Sequence, residues 1–292
     1  MAAKLHSGSR HRALRKILLA LPVLAGAGYL WLCAWFWVHQ REFQYTPGGT
    51  IATPATAGLP EFSTVEIATG DGERIIGWWK PPPGTGDGVV LYLHGTPGTL
   101  PDYCPYRLPD LETAGLGALA IDYRGYGGST GIPTETGIRL DALAAFDFIR
   151  REAPQSKIAV YGESFGSGPA VALATRRPVA GLLLNAPFAS VLRLFKRSAP
   201  PILPYRWLLS DQYDSERLIR RVTAPVMILH GTADANIPIA EARRLYQAAG
   251  RSKTMIEVEG AGHTEAMQGA AKARAIEALL AWTRGDPGRR AQ

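Results

Sequence analysis

An α/β fold with a mostly parallel sheet, carried behind one membrane-spanning helix, is what this 292-residue sequence predicts, and three observations predict it. Short apolar or β-branched runs recur between residues 62 and 259, amphipathic helical stretches separate most of them, and an uncharged run, Ile17–Val38, precedes them all. With 46% hydrophobic and 20% charged residues the chain can bury a sizeable core, which excludes wholesale disorder.

As a helix Ile17–Val38 is about 33 Å long at ~1.5 Å per residue, enough to cross a ~30 Å hydrocarbon core. Trp31, Trp35 and Trp37 crowd its C-terminal end, where amphipathic indoles favour the interface. Lys4, Arg10, Arg12, Arg15 and Lys16 precede the run without an acid among them, and only Arg41 follows closely. The positive-inside rule therefore predicts a signal-anchor: residues 1–16 as a basic cytoplasmic tail, 17–38 as a transmembrane helix, and the rest of the chain extracytoplasmic. The competing reading is a cleaved signal peptide with Ile17–Leu24 as its apolar region and Ala25-Gly26-Ala27 as its cleavage site, although the apolar run continues well past Ala27. A buried core helix fits poorly, because the run is apolar all round and adjoins a basic tail. Of the net charge of +7, the tail supplies most, leaving about +2 for the remainder. A nucleic-acid partner thereby loses its main support.

Residues 39–60, rich in Thr, Pro, Gly and Ala, read as a linker, residues 61–285 as the folded domain, and 286–292 as a tail. Candidate strands are FSTVEIA at 62–68, ERIIGWWK at 73–80, VVLYLH at 89–94, ALAID at 118–122, KIAVYG at 157–162, GLLLNA at 181–186, PVMILHG at 225–231 and KTMIEVE at 253–259. The first two have no helix between them, and Asp71-Gly72 supplies the turn chemistry of a hairpin. The later ones alternate with helical stretches such as Thr136–Glu152 and a closing helix over Thr264–Arg284. Such alternation implies a mostly parallel sheet covered on both faces. Two cysteines, Cys33 and Cys104, provide no disulfide framework or Cys-rich zinc site, and the six histidines lack metal-binding spacing, so no metal site is expected.

Gly162-Glu163-Ser164-Phe165-Gly166 fits G-x-S-x-G between a strand and a helical stretch, the context in which a serine is presented on a sharp strand-to-helix turn. A serine hydroxyl needs a base, and the base needs an orienting acid. Asp234, in His230-Gly231-Thr232-Ala233-Asp234, and His263, in Gly260-Ala261-Gly262-His263, each follow a strand, at the sheet edge where open α/β folds place their sites. Asp211 and Asp214 are rival acids, but they do not follow a strand. Backbone donors for an oxyanion are expected from Phe165, the residue after the nucleophile, and from Thr96 in His94-Gly95-Thr96-Pro97-Gly98, since Pro97 has no N–H. His94 reads as a residue that packs this loop.

On these features the chain resembles the α/β-hydrolase superfamily, and more narrowly its single-pass, membrane-anchored serine hydrolases. REFQYTP, DGERIIGWWKPP, the HGTPG loop, IDYRGYGGSTGIPTETG, YGESFGSG, HGTADANIP and GAGH carry the resemblance over roughly residues 41–285. It implies an α/β-hydrolase fold with an eight-stranded sheet, a triad of Ser164, Asp234 and His263, and ester, thioester or, less often, amide hydrolysis without a cofactor. One departure is Thr96-Pro97, where the membrane-anchored group often has Asn-Ala. The HG-x-P loop is also similar to that of epoxide hydrolases and dehalogenases, but those use a carboxylate nucleophile where this chain has Ser164.

Residues 187–222, too long for a plain connection, are expected to form a small lid. In it Phe188, Val191, Leu194, Phe195, Ile202, Leu203, Trp207 and Leu208 could shape an acyl pocket, and Arg193, Lys196, Arg197 and Arg206 could face anionic headgroups; a lid packed on its own core is the alternative. The expected function is a membrane-anchored serine hydrolase of the carboxylesterase, lipase or thioesterase type, acting on lipid-like or small acyl substrates. A serine peptidase acting on short peptides and a non-catalytic binding module on the same scaffold are the rivals.

Overall fold

The computed structural model describes residues 5–263 and 265–284. Two compact units emerge: Met1–Gln44 with Pro200–Ser210, and Tyr45–Ala199 with Asp211–Gln292.

The first unit is built on helix α1 (Leu5–His39). Along its apolar stretch Leu18, Leu19, Val23, Leu24, Leu30 and Trp31 are exposed, the reverse of a helix that packs in a soluble core. Among the described residues it is the one helix long and apolar enough to cross a membrane.

The second unit holds a single eight-stranded sheet: β1 (Ser63–Ala68), β2 (Arg74–Lys80), β3 (Val89–Leu93), β4 (Gly117–Ile121), β5 (Ile158–Glu163), β6 (Gly181–Asn185), β7 (Val226–Gly231) and β8 (Lys253–Val258), in the order β1-β2-β4-β3-β5-β6-β7-β8. β2 runs antiparallel to both neighbours, and from β4 onward every pair is parallel. The hairpin between β1 and β2 turns at Gly72, whose φ of +91° suits a residue without a Cβ.

The central strands bury both faces, so their runs are continuous rather than alternating. Val89, Leu91 and Leu93 face one hydrophobic cluster with Ile138, Phe146 and Ile149 of α3 (Glu135–Glu152) and Val171 and Leu173 of α4 (Ser167–Ala174), while Val90 and Tyr92 face the other with Leu100, Leu108 and Leu111 of α2 (Leu100–Thr113) and Leu279 of α9 (Gly269–Arg284). Each fully buried side chain of this kind stabilises the fold by about 1.5–3 kcal/mol. Helix starts are fixed by short polar residues: Thr134 Oγ1 accepts the Gly137 N–H at 3.0 Å to cap α3.

Three expectations need correction. Residues 45–60 belong with the hydrolase unit instead of forming a free linker: Tyr45 and Leu59 are buried, Thr46 N donates to Tyr126 Oη, and Gly48 N donates to Gly125 O. Polar composition concealed this, because two apolar anchors suffice to hold the segment. The closing helix starts at Gly269, whose φ of +52° cannot continue a helix backward, instead of at position 264, which lies outside the described residues. The expected lid divides: α5 (Val191–Ser198) and α7 (Ser215–Leu218) belong to the hydrolase unit, whereas Pro200–Ser210, with α6 (Tyr205–Leu208), belongs to the unit of α1. Phe188 and Val191 are buried core residues there, and Arg193 pairs with Glu241 of α8 (Ile239–Ala248) at 3.0 Å in place of facing a headgroup.

Candidate active site

β5 ends in a turn that only a particular sequence can make. Ser164 adopts φ +51°, in the left-handed region, at the head of a 3₁₀ turn (Ser164–Gly166) that runs into α4. A Cβ on Gly162 would lie 2.7 Å from the Gly166 carbonyl oxygen, and one on Gly166 would lie 2.0 Å from that of Leu93, so both glycines are required by close backbone approach. The strained φ is what turns the Ser164 side chain out of the strand direction.

The ends of β7 and β8 bring the other two residues to it. Their loops are laced together, with Ala233 N donating to Ala261 O at 3.0 Å and Thr232 N to Val258 O at 3.0 Å. His263 Nε2 lies 2.9 Å from Ser164 Oγ, and its Nδ1 lies 2.7 Å from Asp234 Oδ2. Asp234 is buried, and its other oxygen accepts the N–H groups of Asn236 and Ile237, each at 2.9 Å. Burial by itself raises the Asp234 carboxyl, but hydrogen bonds from His230, His263 and the Ile237 backbone outweigh it and hold the group well below the usual carboxylate range. An ionised Asp234 can only accept, so the Nδ1 that faces it carries a proton, and in a neutral imidazole Nε2 is then the acceptor for the Ser164 hydroxyl.

The structure thus brings Ser164, Asp234 and His263 together, and it gives the rival acids other partners. Asp211 Oδ1 accepts the Glu135 N–H, and Asp214 caps α7 through the Arg217 N–H. The loop after β3 runs against the serine: a Cβ on Gly95 would stand 3.3 Å from that of Ser164, and Tyr103 Oη donates to Pro97 O to hold the loop. Within that loop Thr96 bonds Thr46 through side-chain hydroxyls at 3.1 Å, and the Thr96–Pro97 peptide is cis. Phe165 buries its ring against Tyr45, Tyr123 and Tyr213. His94 is fully buried between the rings of Tyr103 and Tyr123.

Two arrangements escaped the sequence reading. His230, fully buried, reaches Ile237 O at 2.8 Å and Asp234 Oδ2 at 3.3 Å through the same Nε2, bracing the oxygen that His263 also meets; the His-x-x-x-Asp spacing was its only signal. Glu163, buried beside the nucleophile, accepts two bonds from Arg107 at 2.7 and 2.6 Å, one from Tyr92 at 2.8 Å and one from Tyr161 at 3.2 Å. An acidic residue ending an otherwise apolar strand was the available clue.

Residues 88–208 match a family model described as alpha/beta hydrolase fold, and residues 204–286 match one described as TAP-like protein. The chain is 36% identical over 251 residues to an uncharacterized protein of Mycobacterium tuberculosis, covering 84% of this chain and 89% of that one. It is 29% identical over 196 residues to the lysophosphatidylserine lipase ABHD12 of Mus musculus, covering 61% of this chain and 49% of the lipase. In fold it is similar to the Pyrococcus furiosus esterase Pf2001, with a TM-score of 0.69 at 22% identity over 82% of this chain and 99% of the esterase. With its eight-stranded sheet and esterase- and lipase-like relatives, the chain belongs to the α/β-hydrolase superfamily.

Proposed function

We propose that this hydrolase is a serine esterase of lipid-like or small acyl substrates, anchored in a membrane by α1. The observation that carries the reading is the continuous hydrogen-bond chain from Asp234 through His263 to Ser164. Ser164 Oγ attacks the acyl carbon while His263 Nε2 takes its proton, and Asp234 stabilises the imidazolium that forms. The backbone N–H groups of Phe165 and Thr96 hold the developing oxyanion, and His263 then returns the proton to the leaving alcohol or thiol. Water repeats the sequence on the acyl-enzyme, so the chemistry runs on this chain's own residues.

The name of the similar lipase directs attention to lysophospholipids, and so does the exposed apolar surface of α1, which tethers the enzyme where such substrates reside. The charge asymmetry around α1 favours a signal-anchor with the N-terminus cytoplasmic and the hydrolase unit extracytoplasmic. A panel of p-nitrophenyl esters of graded chain length, beside matched thioesters and anilides, tests the reaction class. Hydrolysis of esters or thioesters is the expected result; cleavage of anilides alone would reassign the enzyme as a peptidase. Added protease should degrade the hydrolase unit in intact cells or spheroplasts while sparing a tag placed before Met1, and protection of that unit would reverse the orientation.

A further inference from the structure

We propose that Pro200–Ser210 is a second membrane-inserted element, a re-entrant segment that lies beside α1 within one leaflet of a lipid bilayer. The proposal rests on α1 being the spanning helix.

Contacts within this unit run in order along the helix. Ser210 N donates to Gln40 Oε1 at 2.6 Å, the Tyr205 ring packs edge-on against Phe36 with centroids 5.3 Å apart, and Tyr29 Oη donates to Ile202 O at 3.0 Å. From Ser210 to Ile202 the segment therefore follows α1 from its C-terminal end back toward its middle. Tyr29 precedes Val38, the last residue of the uncharged run, by nine positions, or roughly 14 Å of helix, which is about half of a ~30 Å hydrocarbon core. A chain that touches α1 at that depth shares the bilayer with it.

Part of the segment's backbone finds its partners without water. Non-helical chain is tolerated in lipid only where its polar groups find partners. Pro200, Pro201 and Pro204 remove three donors outright. Pro200 O accepts from Tyr205 Oη, Ile202 O from Tyr29 Oη, Leu203 O from Tyr205 N, Pro204 O from Trp207 N, and Tyr205 O from Leu209 N. Two of these acceptors are thus met by tyrosine hydroxyls, where water would serve a surface loop.

The side chains complete the case. Ile202 and Trp207 are 59% and 81% exposed, apolar side chains in the same unit as the exposed apolar stretch of α1. The one ionisable charge, Arg206, lies over the Trp207 ring at 5.9 Å, a pairing suited to the headgroup boundary. Ala199 and Asp211, at either end, both belong to the hydrolase unit, so the chain leaves that unit and returns to it.

The test uses the full chain carrying Cys33→Ser, reconstituted in phosphatidylcholine vesicles, with an environment-sensitive fluorophore on a cysteine at one position at a time. Ile202→Cys and Trp207→Cys probe the segment, Leu24→Cys probes α1, and Ile132→Cys, exposed on the hydrolase unit, is the aqueous reference. The fluorophore at position 202 should emit blue-shifted and be quenched more strongly by a nitroxide midway along the lipid chain than by one on the headgroup. Position 207 should respond most to the headgroup nitroxide, and position 132 to neither. Signals at 202 and 207 like that at 132, with position 24 quenched, would overturn the re-entrant segment and leave the anchor standing. An aqueous signal at position 24 would remove the anchor and this inference together. Should the variant at 202 fail to fold, Leu203→Cys takes its place with the same expected depth and the same overturning result.

Discussion

Two buried carboxylates flank Ser164, and their partners differ in kind. Glu163, its neighbour in the chain, is gripped by the guanidinium of Arg107 and two phenols, whereas Asp234, reaching it across 2.7 and 2.9 Å hydrogen bonds, holds an imidazole. Arginine keeps its proton at any working pH, so the Glu163 pair has one charge state and can only fasten α2 to the end of β5. An imidazole can gain a proton and lose it again within one turnover. The carboxylate beside the titratable partner is the one suited to chemistry, although the other is equally buried and nearer in sequence.

The largest effect that separates the two is expected at the serine itself. Ser164→Ala should lower turnover by on the order of 10⁴- to 10⁶-fold with the melting temperature nearly unchanged, measured by ester hydrolysis beside calorimetry. Asp234→Asn should follow, with kcat reduced roughly 10⁴-fold because the amide favours the wrong His263 tautomer. Glu163→Gln should invert that pattern: stability falls by about 3–5 kcal/mol as the Arg107 charge is left buried without a partner, while kcat per folded molecule stays within a few-fold in urea-titrated samples. A kcat loss in Glu163→Gln as large as that of Asp234→Asn would erase the distinction.

A pH series sharpens it. The Asp234 carboxyl is held below its ordinary range in the folded chain, so its contribution to stability is complete above the unfolded value near pH ~4 and is lost as pH falls toward the folded one. The melting-temperature gap between the wild type and Asp234→Asn should therefore be constant from neutral pH down to about 5 and shrink below ~4. The smallest effect is expected at a rival acid: Asp214→Ala should cost about 1 kcal/mol through the lost cap of α7 and leave kcat unchanged.

Much of the fold was legible because buried parallel strands announce themselves as unbroken apolar runs, as in Val89–Leu93 and Gly181–Asn185. Ser164 was legible because the glycines around it leave no alternative at such close approach, and Asp234 and His263 because each follows a strand. What stayed hidden depends on contacts remote in sequence. Nothing local in Pro200–Ser210 announces that Ile202 meets Tyr29, 173 residues earlier, nor in Tyr45 that its hydroxyl meets that of Tyr213. Arg193, which the sequence offered as a contact for anionic headgroups, pairs instead with Glu241, 48 residues later. Periodicity reports the face a residue presents, and it is silent about its partner.

The central claim, that Ser164 is a nucleophile activated by His263, is tested most directly by reaction with a fluorophosphonate followed by peptide mass spectrometry. One adduct per chain is expected on the peptide carrying Ser164, lost in Ser164→Ala and strongly slowed in His263→Ala. A folded wild-type protein that takes no label, or one that carries it on another serine while Ser164→Ala still hydrolyses esters, would contradict the account.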